Sequence, residues 1–119
     1  MIGRLHHLVM DCPYPDALAE FWSALLGQPI TYRSDDFAVV AANNRTSGLA
    51  FQLAPDHQPP VWPDPAHPQQ MHLDVMVEDL DAGETAVLEI GATRHEHQPG
   101  TTFRVFLDPA GHPFCLCVD

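Results

Sequence analysis

The chain has 119 residues, enough for one hydrophobic core and too few for two independent ones. Sixteen acidic residues against five arginines and no lysine give a formal charge of −11. That balance argues against nucleic acid or an anionic membrane surface as partner and points to a small molecule.

No apolar run approaches the ~18 residues that a membrane span needs. No basic segment followed by an apolar one opens the sequence, so a secretory signal is not expected and the cytoplasm is the expected compartment. The cysteines number three, and Cys115 and Cys117 lie two apart on one strand face, where geometry disfavours a mutual disulfide. All three read as free thiols.

From Leu5 to Asp11 the alternation predicts a strand with His7, Val9 and Asp11 on one face and His6, Leu8 and Met10 on the other. His6 is thereby expected against the helix layer or a subunit contact. Pro13 and Pro15 end the strand, and Asp16 is the expected cap of a helix. Its apolar stripe is Ala17, Leu18, Phe21, Trp22, Leu25 and Leu26, stopped by Gly27 and Pro29. Ile30–Arg33 and Phe37–Ala42 read as a hairpin, and Leu49–Leu53 as a further strand with Ala50 and Gln52 opposite Leu49, Phe51 and Leu53.

Residues 55–70 are rich in proline, histidine and aspartate and lack periodicity, as expected of a linker between modules. Trp62 within it either anchors the loop or lines a pocket or subunit contact. Met71–Val77 then predicts a strand with His72, Asp74 and Met76 on one face. A helix over Asp79–Ile90 follows, and then strands near Thr93–His97, Thr102–Leu107 and Phe114–Val118, with Asp108–Gly111 as the turn before the last.

The second half repeats the first. Shifting one onto the other by 65 residues pairs His7 with His72, Asp16 with Asp81, Ala17 with Ala82 and Leu25 with Ile90. The expected fold is α+β: two tandem β-α-β-β-β modules, 1–54 and 71–119, sharing a curved mixed sheet around a cavity within a single domain.

The motifs Leu8–Pro13 running into Ala17–Trp22, Leu49–Leu53, His72–Val75, Asp79–Ala82 and Asp108–Cys115 span nearly the whole chain. Together they resemble the vicinal oxygen chelate superfamily, which includes glyoxalase I, bleomycin-resistance proteins, fosfomycin-resistance enzymes and extradiol dioxygenases. The sequence is most similar to small bacterial glyoxalase-like proteins. The resemblance implies a homodimer and a cavity, and carries the metal-facing positions onto His7, Gln52, His72 and Cys115. The alternation independently puts these four on the faces opposite the aliphatic residues.

Cys115 stands where relatives commonly have a glutamate. Two imidazoles and a thiolate at His7, His72 and Cys115 suit zinc rather than Fe(II) oxygen chemistry. Asp74 and Gln52 are the candidates for moving a proton or orienting a bound water. A ligand cavity would draw on His7, Gln52, His72, Asp74 and Cys115, with Phe106, Trp62 and Phe37 as aromatic walls.

Three readings stay open. The first is sequestration of a small organic ligand in the manner of bleomycin-resistance proteins. The second is a divalent-metal-dependent lyase, isomerase or transferase. The third is an interaction domain whose vestigial cavity is filled by Met76 and Cys117.

Overall fold

The computed structural model describes all 119 residues. They form two compact units, residues 1–57 and 58–119. Each contains one helix and a four-stranded mixed sheet in the same order, so the architecture is α+β with the module repeated.

In the first unit the elements are β1 (His7–Cys12), α1 (Pro15–Leu26), β2 (Ile30–Arg33), β3 (Phe37–Val40) and β4 (Gly48–Leu53). The sheet runs β1-β4-β3-β2, with β1 parallel to β4 and the remaining pairs antiparallel. A connection between parallel strands needs a crossover, and α1 provides it.

The first helix starts differently from the sequence expectation. Tyr14 is its N-cap residue, without a side-chain cap, and Pro15 occupies the first position, where a missing N–H costs nothing. Asp16 therefore lies inside the first turn. There it complements the helix dipole and, with Glu20, holds the Arg33 guanidinium of β2. The helix ends at Gly27, whose left-handed φ of 65° lets its N–H bond the Ser23 carbonyl.

Leu18, Ala19, Phe21 and Trp22 bury one stripe of α1 against β3 and β4. Cys12, Ala38, Val40 and Phe51 meet it from the sheet, and the rings of Phe21 and Trp22 pack edge to face with centroids 5.5 Å apart. Each large side chain so buried contributes about 1.5–3 kcal/mol.

The second unit comprises β5 (Leu73–Met76), α2 (Leu80–Glu89), β6 (Thr93–Arg94), β7 (Phe103–Leu107) and β8 (Pro113–Cys117), ordered β5-β8-β7-β6. Asp79 caps α2 by accepting from the Ala82 N–H at 2.7 Å. The helix is pinned by charge in the manner of α1: Arg104 of β7 reaches Asp81 at 2.7 Å and Glu84 at 2.6 Å, and Arg94 of β6 reaches Glu84 at 3.0 Å. Three of the five arginines thus tie a strand to a helix, a task suited to the two-pronged guanidinium.

Phe106, Phe114 and Leu116 form the fully buried layer of this sheet. The turn into β8 is organised by buried Asp108, whose carboxylate accepts from the N–H groups of Ala110 and His112, both at 2.9 Å, and meets His112 Nδ1 at 2.8 Å.

Several strands are shorter than alternation alone suggests. β5 spans Leu73–Met76 rather than Met71–Val77, and β6 retains only Thr93 and Arg94. Residues 58–70 belong to the second unit and carry turns such as Val61 N–H to His67 O at 2.8 Å. No helix is long and apolar enough to cross a membrane.

Candidate functional site

In the second unit, β5 and β8 are parallel with Asp74 registered against Cys115. Residues paired across strands share a face, and His72, which precedes β5, joins them through its side chain. His72 Nε2 lies 3.2 Å from Asp74 Oδ1, and the ligand atoms of His72, Asp74 and Cys115 all lie within 4.8 Å of one another.

Cys115 is buried and its thiol is hydrogen-bonded to Asp74. Burial first, then the Asp74 charge, pushes its pKa up to about 12. Burial and Asp74 also raise Cys117. At neutral pH Cys115 is therefore a thiol donating to a carboxylate, not a nucleophile.

A hollow of about 210 Å³ opens beside this trio, with Trp62, Phe103, Val105, Pro113 and Gln69 in its wall. Trp62 both anchors its loop and lines the hollow: its ring lies 5.2 Å from that of His95 and 5.1 Å from that of His97.

The aromatic wall assigned to Phe106 is corrected. Phe106 is 0% exposed and stacks on Phe114 at 5.7 Å, because the register pairs these two residues on the helix side of the sheet. The neighbouring face, shared with Cys115 and Cys117, belongs to Val105 and Phe103, and Phe103 is the aromatic residue that lines the hollow. The alternation Phe103-Arg-Val-Phe106 carries this signal, but the phase of the strand is set only by its pairing with β8.

In the first unit a larger groove of about 620 Å³ lies on the sheet face opposite α1. His6, His7, Val9, Tyr32, Phe37 and Val39 are among its lining residues. Val9 and Tyr32 are 45% and 54% exposed, so the groove presents apolar surface to solvent.

His7 Nδ1 is buried without a hydrogen-bond partner. Burial, then the charges of His6 and Arg4, lower its pKa, which keeps the imidazole neutral at neutral pH. His6 does not face the helix layer. It precedes β1, so strand alternation does not govern it, and its ring stacks on His7 with centroids 3.7 Å apart. Tyr32 was not foreseen as a lining residue; the register shift between Ile30 and Tyr32 breaks the simple alternation of β2.

Gln52 is not beside His7. In the parallel pairing, His7 faces Gly48, while Gln52 faces Asp11 at the other end of β1. Gln52 lies four steps along the strand from Gly48, about 13 Å. The residue standing to His7 as Cys115 stands to His72 is Ala50, which has no ligand atom. Gln52 therefore does not stand beside His7 within the first unit, and the donor cluster that the structure assembles is His72, Asp74 and Cys115.

These three residues fit a borderline divalent ion: imidazole, carboxylate and thiolate are zinc donors, and three protein ligands leave a position open. Cys115 would lose its proton on binding, so affinity would rise with pH.

Residues 7–117 match the family model described as a glyoxalase-like domain. Among solved structures, the chain is similar to a glyoxalase/bleomycin resistance protein/dioxygenase family enzyme from Burkholderia phytofirmans, at a TM-score of 0.74 and 16% identity over 98% of both chains. It is also similar to the fosfomycin resistance protein FosX from Mesorhizobium loti, at a TM-score of 0.71 and 16% identity over 98% of this chain and 92% of that one. A glyoxalase-related enzyme from Fulvimarina pelagi aligns at a TM-score of 0.70 and 16% identity, over 99% and 89%. Among curated proteins none matches the sequence.

Proposed function

The chain belongs to the glyoxalase-like domain family, and from that premise we propose that it binds and sequesters a small organic ligand. The observation that carries this reading is the first unit's groove. Its volume of about 620 Å³ falls in the range of small-molecule sites, and its wall combines apolar Val9, Phe37 and Val39 with polar groups such as Asp36, Asn43 and Asn44.

Tyr32 and Phe37 offer aromatic surface for a planar group, their rings 6.3 Å apart and near edge to face. His7, a neutral imidazole in the groove wall with a buried and unpaired Nδ1, adds a polar group to the site. The charge of −11 favours a neutral or cationic ligand over an anion. We infer a cytoplasmic protein that pairs as a homodimer; Cys115 and Cys117 carry free thiols, as a reducing compartment would keep them. Met76 is 63% exposed, which speaks against a vestigial cavity filled by its side chain.

A second reading rests on His72, Asp74 and Cys115, the set that would hold a divalent ion. The ion would supply a Lewis acid that polarises a substrate oxygen. Asp74 reaches both His72 and Cys115 and would serve either as a ligand to the ion or, left uncoordinated, as the base for a nearby proton. Gln52, in the first unit at the end of β4, remains a proposal for orienting water there.

The test is calorimetric titration with two probes of opposite charge, cationic bleomycin and anionic fosfomycin, on the wild type and on Tyr32→Ala and His7→Ala. Binding of bleomycin that is weakened in both variants, with none of fosfomycin, is the expected result. Absence of binding by both probes, together with no thermal shift from a panel of planar heteroaromatic compounds, would retire sequestration.

A further inference from the structure

The face that carries His72 and Asp74 continues along the same two strands. The register sets Met76 against Cys117 one step beyond Asp74 and Cys115, so four side chains form a patch on one face, and three of them carry sulfur. Neighbouring strands lie about 4.8 Å apart, and alternate residues about 6.6 Å apart along a strand. A soft ion held between such corners takes metal–sulfur bonds of about 2.3 Å, which the two thiols and the thioether would reach by turning about their side-chain bonds.

Both thiols are free. Met76 is 63% exposed and Cys117 half-buried, so an ion reaches them without unfolding. An exposed thioether beside two thiols, in a chain of net charge −11, is a soft donor set in a field that concentrates cations.

We propose that Cys115, Cys117 and Met76 bind a thiophilic monovalent cation of the copper(I) class. Thiolate and thioether sulfur select soft ions, whereas the His72, Asp74 and Cys115 set offers one nitrogen, one oxygen and one sulfur to a borderline divalent ion. Binding forms two copper–thiolate bonds and releases two thiol protons to solvent. No electron is transferred, because the ion arrives as copper(I). The proposal is independent of ligand sequestration in the first unit and shares only Cys115 with the divalent-ion reading.

The experiment is an anaerobic titration of the full chain with copper(I) against bicinchoninate as competing chelator, with a parallel zinc titration. The expected result is one copper(I) held per wild-type chain, lost to the chelator in Cys117→Ser, held more weakly by Met76→Leu and unchanged in Cys12→Ser, whose thiol is buried in the first unit. Thermal melts by circular dichroism establish that the variants are folded, and Met76→Leu keeps the volume of an exposed residue. Surrender of all copper by the wild type, or undiminished retention by Cys117→Ser, overturns the proposal. The zinc arm separates the readings: zinc bound equally by wild type and Cys117→Ser supports the divalent site whatever the fate of copper.

Discussion

Phe103 and Phe106 lie three apart on β7 and have opposite duties, so truncating each to alanine separates core from wall. Phe106 is fully buried and stacked on Phe114 at 5.7 Å, in the layer completed by Leu116. Removing its ring loses the transfer energy and leaves a cavity, a cost of about 3–5 kcal/mol. Phe103 is half-buried, with its ring lying over Gly100 and one side on the hollow. Its truncation forfeits about half the value of a fully buried side chain, roughly 0.8–1.5 kcal/mol, with no closed cavity.

Urea unfolding followed by circular dichroism reads both variants. With a slope of about 2 kcal/mol per molar, Phe106→Ala lowers the midpoint by roughly 2 M and Phe103→Ala by well under 1 M, with slopes unchanged. Equal losses, or a larger loss for Phe103→Ala, would refute the assignment of the two faces and with it the placement of Cys115 toward the hollow.

Two further outcomes follow from single atoms. A Cβ at position 48 would meet the Val40 carbonyl oxygen at 2.3 Å and Ala41 Cβ at 2.6 Å, so Gly48→Ala should cost roughly 1–3 kcal/mol by overpacking and, since Gly48 pairs with His7, weaken ligand binding in the groove. Gly3→Ala, with nothing within 4 Å, is the neutral control in the same unfolding assay. The Cys115 pKa of about 12 lies above its ordinary 9.0, so the folded state holds a proton that the unfolded state releases. Stability from this group is full below pH 9.0 and falls as pH rises toward 12. Cys115→Ser should accordingly flatten the alkaline decline of the urea midpoint, and wild-type Cys115 should resist iodoacetamide at neutral pH until unfolded. Rapid alkylation of the native thiol would contradict its burial beside Asp74.

What the chain carries locally was legible without coordinates. Periods of two and three-and-a-half residues, proline and glycine at the breaks, and the 65-residue repeat from His7 to His72 specify two β-α-β-β-β modules, because backbone alternation and helical spacing are properties of short segments. The same alternation placed His72, Asp74 and Cys115 on one face, and the structure groups them.

Register was not legible, since it is fixed by long-range pairing in which a shift of one residue exchanges the faces and a shift of two moves a side chain along the strand. It was the pairing of β1 with β4 that set Gln52 against Asp11 rather than near His7, and the pairing of β7 with β8 that turned Phe106 into the core and Phe103 toward the hollow. Only the pairing of β5 with β8 brought Met76 level with Cys117, and no local pattern in either strand encodes the sulfur-rich patch that results.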